Sequence, residues 1–414
     1  MAKKQKKAIP KRAPTKHQLS KWQRQTKIRR IVIIAAVVFL AGILSWVGYE
    51  SYEDYKARVG PLREVVIEVN DVPFTMEYYV KMIDAYTKNM ETEDIFYMAD
   101  YIGGMIGDEI IKAELLRQGA KKLGIEVTTE EIDTRLEEAE LPNNETYRDI
   151  VHAALLQEKL EEYFDSQLPD TMEQAHVQVM LAESEEVAEE VITKIEAGGN
   201  FTALAEDFSC NSLIEGDLGW LPEELMPNTL IADAAFNLTP GEISPPIYDE
   251  TTTKDVGYWL IEVTDKEDDK IKASVMLLGS EVEAKHVKAE LVSGNFSSLA
   301  MEYSQHESKT EGGELGWLKR GDMGSNAFDQ VAFNITANEV SEPVKDEVIQ
   351  TTGGYWLVDV VDRGEHQLEE DVKEGLRDKH LNDWFEEWQE DSTIKDLLDE
   401  EKKSWAVDRV LQGR

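Results

Sequence analysis

Side chains able to carry a proton or hold a metal are sparse in this 414-residue chain. Cys210 is the one cysteine and seven histidines are scattered, so no intrachain disulfide or cysteine metal cluster can form, and neither a structural metal nor a cofactor is expected. Two of the histidines stand in or beside the short segments that recur. His176 opens the apolar run HVQVML (176–181), and His306 follows a serine in a loop after NFSSLAMEY (295–303). The matching loop after NFTALAEDF (200–208) holds Cys210 and Asn211 instead. Tryptophan also recurs, as Trp259 in GYWLIEV (257–263) and Trp356 in GYWLVDV (354–360). An indole donates one N–H from an apolar body but cannot shuttle a proton.

These fragments belong to one segment written twice. GDLGWL (216–221) returns as GELGWL (313–318), and AAFNLTPGEISPPI (234–247) as VAFNITANEVSEPV (331–344), both 97 positions on. The offset is 95 at NFTALAEDFS (200–209), which places a two-residue deletion between Ser209 and Gly216 of the first copy. Each copy reads as a strand, an amphipathic helix stopping near Gly198 or Gly294, a short helix with Phe201, Leu204, Ala205 and Phe208 at helical spacing, a glycine-rich loop, a helix around Ala234–Phe236 and a closing alternating strand. Strands and helices in one compact unit predict an α+β fold.

The flanks read as helical. Ile106, Ile110, Ala113, Leu116, Ala120 and Leu123 form one stripe, and a Thr128/Glu131 capping box restarts the helix. Leu368, Val372, Leu376, Leu381, Trp384, Phe385 and Trp388 form a broad apolar face, which predicts docking on the N-terminal helices. Charge is segregated. The first thirty residues hold twelve of the 44 Lys and Arg and none of the 83 Asp and Glu, so the acidic remainder argues against a nucleic-acid partner. Residues 31–48 (IVIIAAVVFLAGILSWVG) carry no charge and are long enough for a membrane span, with the basic tail on the cytoplasmic side and the bulk of the chain outside. The expected organisation is a basic cytoplasmic tail at 1–30, an anchor at 31–48, an N-terminal helical domain at 60–169, repeats at 170–267 and 268–364, and a C-terminal helix at 365–414 that packs on the N-terminal domain.

The run from FTALAEDFS through GDLGWL, AAFNLTPGEIS and GYWLIEV resembles the parvulin-type peptidyl-prolyl isomerase family. The arrangement of anchor, helical segment, two such domains and terminal helix is similar to that of SurA- and PrsA-like extracytoplasmic folding factors. The resemblance implies an antiparallel sheet with surrounding helices and, in each copy, a proline pocket. In the first copy the pocket positions fall on Leu218, Met226, Ile231 and Phe236, and in the second on Leu315, Met323, Phe328 and Phe333. Such a pocket catalyses by holding proline and easing charge redistribution at the preceding carbonyl while the amide twists. The family's two histidines are missing. Val179 and Val275 stand at the first-strand position, and Trp259 and Trp356 at the closing-strand position. His176 lies three positions from Val179, an odd spacing that turns it to the opposite face of a strand. The third polar position holds Cys210 or Asn211 in the first copy and His306 in the second.

The expected function is that of a membrane-anchored, extracytoplasmic chaperone or foldase that binds unfolded or proline-containing exported polypeptides through degenerate clefts, where methionines and aromatics suit varied clients. The alternatives are an active isomerase, best placed in the second copy through His306, and a membrane-tethered scaffold. Oligomeric state is left open.

Overall fold

The computed structural model describes Trp46 and residues 59–211, 216–292 and 294–414. The expected tail at 1–30 and, Trp46 apart, the expected anchor at 31–48 lie outside the described residues. Among the described residues no helix is long and apolar enough to cross a membrane.

The elements run β1 (Val65–Val69), β2 (Val72–Thr75), α1 (Met76–Tyr86), α2 (Thr92–Tyr97), α3 (Ala99–Lys122), α4 (Thr129–Glu138), α5 (Glu145–Gln167), β3 (Thr171–Ala182), α6 (Glu185–Glu196), α7 (Phe201–Phe208), β4 (Gly216–Leu221), α8 (Thr229–Asn237), β5 (Ile247–Lys254) and β6 (Gly257–Glu267). They continue with β7 (Lys270–Leu278), α9 (Glu281–Glu290), α10 (Phe296–Tyr303), β8 (Glu314–Lys319), α11 (Asn326–Ala332), β9 (Glu339–Val340), β10 (Val344–Asp346), β11 (Thr351–Gln367), α12 (Glu370–Glu390), β12 (Ile394–Asp396) and α13 (Glu400–Leu411). This is an α+β architecture with antiparallel sheets.

The chain divides into two compact units, one comprising residues up to 162 together with 382–414 and the other residues 163–381. In the first, the end of the chain returns to the beginning. Ala406, Val407 and Val410 of α13 join Ile83, Ile102, Ile106 and Ile110 in one core, and β12 pairs antiparallel with β1. Trp384 lies so close to α3 that a Cβ on Gly119 would stand 2.7 Å from its ring. The Thr128/Glu131 capping box forms as the sequence predicts. The apolar face read across 368–388 divides. Phe385 and Trp388 pack on the first unit's core, whereas Leu368, Val372 and Leu376 cluster with Leu168, Met172, Leu221 and Leu225 of the second unit.

The second unit holds two sheets, ordered β4-β3-β11-β5 and β10-β6-β7-β8, with β9 also on β6. Their composition crosses the repeats. The closing strand of the second repeat, β11, pairs with the opening strand of the first, Val179 facing Val358. The closing strand of the first, β6, pairs with the opening strand of the second, Ile261 facing Val275. One structural half is therefore discontinuous, built from 171–254 and 351–367, and the other is a contiguous stretch nested within it. A two-residue turn at Asp268 and Asp269 explains the choice, because it folds β6 straight back on β7, with Glu267 facing Lys270. Asp268 takes the left-handed conformation (φ 50°), which a short polar side chain tolerates. A local hairpin costs less chain entropy to close than a pairing with β3 across the whole first repeat.

Candidate functional site: two apolar clefts

Each cleft lies between a sheet and the short helix crossing it. Asn228 and Ser325 cap these helices, accepting from the amides of Ile231 and Phe328, which starts α8 and α11 in register with their sheets. Ile231 and Phe328 are then wholly buried. The first-repeat residues Met226, Ile231, Leu218 and Phe236 cluster with Trp356, and the second-repeat residues Phe328, Leu315, Met323 and Phe333 cluster with Trp259. Each tryptophan thus serves the cleft of the other repeat.

Both indoles fill their clefts. Trp259 and Trp356 are each 1% exposed. Trp356 Nε1 donates to Asp249 Oδ2 at 3.0 Å, and Trp259 Nε1 to Asp346 Oδ2 at 2.9 Å. Buried carboxylates are costly unless hydrogen-bonded. Asp249 also accepts from the Thr251 hydroxyl at 2.8 Å and from the amides of Thr251 and Thr252 at 2.9 and 3.1 Å, and Asp346 accepts from the Ser325 hydroxyl. Burial alone would raise the Asp249 pKa, but these donors, with Trp356 foremost, outweigh it and hold the carboxyl below its usual range. The aspartates were not among the residues picked from sequence. Their signal is there, since PIYDE (246–250) and PVKDE (343–347) place Asp249 and Asp346 at the same 97-residue offset as the tryptophans.

The exchange repeats in the framing contacts. Ser244 of the first repeat exchanges hydrogen bonds with Val358, its amide donating to the Val358 carbonyl at 2.8 Å and its hydroxyl accepting from the Val358 amide at 3.0 Å. Ser341 does the same with Ile261, at 2.9 and 3.0 Å. Arg363 on β11 donates to the carbonyls of Ala235, Phe236 and Leu238 at the end of α8. Lys266 on β6 donates to Phe333 O at 3.0 Å at the end of α11. Cations there also complement the negative end of each helix.

The polar position beside each cleft can now be aligned. The Cys210 amide donates to Leu181 O at 2.9 Å and the Gln305 amide to Leu277 O at 2.7 Å. Cys210 therefore corresponds to Gln305, and Asn211 to His306. Cys210 Sγ donates to Leu181 O at 3.0 Å, and burial pushes its thiol up to about 12. Asn211 is buried, and its Nδ2 donates to Thr253 O at 3.1 Å. His306 is half-buried with its ring centroid 5.5 Å from that of Trp259, edge to face. Its Nδ1 accepts from the Ser308 amide at 3.2 Å, and burial lowers its pKa, so the ring is neutral at pH 7. The loop hugs the sheet closely. At Gly313 (φ +82°) an added Cβ would stand 2.2 Å from Val275 O, so only glycine fits.

His176 faces away from the cleft. It pairs with Asp217 at 2.7 Å and lies beside Trp220, ring centroids 5.6 Å apart, while its neighbours Ala175 and Val177 join the cleft cluster with Val179. Val179 and Val275 are fully buried.

The chemistry left to each cleft is narrow. Leu218 and Phe236 in one, and Leu315, Met323 and Phe333 in the other, remain half-exposed over a filled floor. Among these residues the one titratable ring is His306. The first unit adds exposed aromatics, Phe96, Tyr97 and Tyr101 at 64%, 83% and 65%. A cavity of about 720 Å³ is lined by Tyr101, Met105, Leu115 and Phe385, with Asp100, Asp108 and Glu109 around it.

Comparison with known proteins agrees with this architecture. The PPIC-type PPIASE (rotamase) domain model matches residues 171–265 and 268–362, and the SurA-like N-terminal domain model matches 19–178. The matches follow the sequence repeat, so each matched domain lends its closing strand to the other half. A protein named Chaperone SurA from Dechloromonas aromatica is 28% identical over 241 residues, 51% of this chain and 52% of that protein. Foldase protein PrsA of Geobacillus kaustophilus is 38% identical over 126 residues, 28% of this chain and 43% of that protein. The crystal structure of the peptidylprolyl isomerase PrsA from Bacillus cereus, 14% identical, covers 85% of this chain and 92% of its own, with a TM-score of 0.20. Alignments reach from 52% to 65% of the length of the first curated relatives.

Proposed function

Because the chain belongs to the parvulin-type rotamase family, with two PPIC-type domains behind a SurA-like N-terminal domain, we propose that it is an extracytoplasmic chaperone that grips unfolded exported polypeptides without needing to turn their prolines. The observation that carries this reading is the filling of both clefts by an indole pinned to a buried aspartate. A proline ring would have to displace Trp259 or Trp356. The half-exposed apolar rims instead offer shallow surface to varied side chains, and methionine at Met323 adapts to them. The exposed aromatics and acid-flanked cavity of the first unit support the same reading, since they suit apolar segments flanked by Lys or Arg. The anchor at 31–48 would hold this body outside the membrane, with the basic tail against cytoplasmic anionic lipid. Added protease should therefore digest the body in cells whose cytoplasm stays sealed, and its protection would refute that topology.

The test of function is suppression of aggregation of a denatured client by the full-length chain, run on matched clients with and without prolines. Equal protection is expected, and protection that requires proline would sink the reading. A second reading, isomerase activity in the second-repeat cleft, draws on one observation. That cleft alone of the two has an imidazole against its indole, His306 at 5.5 Å from Trp259.

A further inference from the structure

The two clefts differ in how the chain completes them. The nested half runs without interruption from β6 to β10, and its first step is the two-residue turn between Glu267 and Lys270. The outer half needs β11 laid between β3 and β5, and the whole nested half separates them in sequence. In space the gap is small. Lys254 and Thr351 are Cα partners, Thr351 Oγ1 donates to Val256 O, and Gln350 Nε2 donates to Asp255 Oδ1 at 3.1 Å. The crossing is tight, since a Cβ on Gly257 would stand 2.9 Å from Thr351 Cγ2. At its centre the buried Lys254 donates to Gly279 O of the nested half at 2.6 Å and to Glu183 O of the outer half at 3.2 Å. Those carbonyls precede Ser184 and Ser280, the caps of α6 and α9. One ammonium therefore pins matching points of both halves.

We infer that the clefts mature in reverse chain order: the nested half closes first, and only then does Trp356 complete the cleft of the first repeat. Once folded, the nested half brings the ends of the outer half together, so the outer sheet closes across a gap of a few residues. With the nested half unfolded, it must close a loop on the order of a hundred residues, a penalty of roughly a hundredfold in its folding equilibrium. The nested half gains no comparable help from the outer one, because its own segments are already contiguous. The first cleft is thus conditional on the second, although it begins earlier in the chain.

Pulse-labelled hydrogen exchange during refolding of the full-length chain from denaturant tests the order. Amides of 257–346 are expected to gain protection before those of 171–182 and 351–367, and simultaneous or reversed protection would overturn the inference. Cysteine pairs test the pairing on which it rests, in a Cys210→Ala background. Gln178→Cys with Asp359→Cys places the thiols on facing residues of β3 and β11, whereas Gln178→Cys with Glu262→Cys joins residues that would face each other only if each repeat kept its own closing strand. Disulfide formation in the first pair and not the second supports the inference, and the reverse overturns it.

Discussion

The nested and outer halves repeat one sequence pattern and differ above all in chain connectivity and in the polar group beside the cleft. Both bury a tryptophan on an aspartate, both cap the cleft helix with a cation from the closing strand, and both tie that strand to a serine. They differ in that the nested half is contiguous, and in that His306 stands where the outer half has Asn211. A duplicated sequence thus keeps its contacts while redistributing which copy supplies them. Dependence between the halves should follow the connectivity, and any difference in acid response should follow the polar groups.

The largest effects should come from the indoles. Trp259→Ala and Trp356→Ala each remove a fully buried ring, at about 3–5 kcal/mol. Their reach should differ. Native-state hydrogen exchange should show Trp259→Ala loosening both halves and Trp356→Ala leaving 257–346 protected. Equal loosening by both would break the asymmetry. Next comes Lys254→Met, which strands the carbonyls of Glu183 and Gly279 and should cost about 1–3 kcal/mol, read as a shift in denaturant midpoint. A change confined to one half would show that Lys254 does not join them.

Asp249→Asn should cost about 1 kcal/mol at pH 7 and sharpen the contrast in acid. The Asp249 carboxyl titrates below its unfolded value, near 4, so its contribution is present above that pH and lost as pH falls through the lower folded value. The variant should flatten the acid limb of outer-half stability, and an unchanged limb would remove Asp249 from the account. His306→Asn should have the smallest effect, about 1 kcal/mol from the bond to Ser308. Burial lowers the His306 pKa, so the folded nested half resists its protonation and loses stability as pH falls from about 6.5 toward the folded value. The asparagine variant should lack that loss, measured by urea midpoints across the same range.

Much of this was legible in the residues. The repeat, the capping box at Thr128 and the outward turn of His176 follow from periodicity or spacing, because short-range patterns dictate which face is buried, whereas the apolar cleft positions are what the family resemblance implies. The exchange did not follow, since GYWLIEV and GYWLVDV fit either sheet equally well. What decides between them is the turn at Asp268 and Asp269, a local feature whose effect is long-range. The match of Asn211 with His306 stayed open because the deletion falls just after Asn211, and only the amides of Cys210 and Gln305 resolve it. Nor was α13 read as a helix of its own, only as part of a single C-terminal helix at 365–414 packing on the N-terminal domain. Its buried Ala406, Val407 and Val410 sit among charged residues, and its partners lie some three hundred positions earlier in the chain.

The central claim is that both clefts hold without turning. A proline tetrapeptide assay of cis-to-trans conversion, run with the full-length chain at concentrations that suppress client aggregation, tests it most directly. The account predicts the uncatalysed rate, unchanged by His306→Ala or Met323→Ala. Fast conversion abolished by either substitution would contradict it.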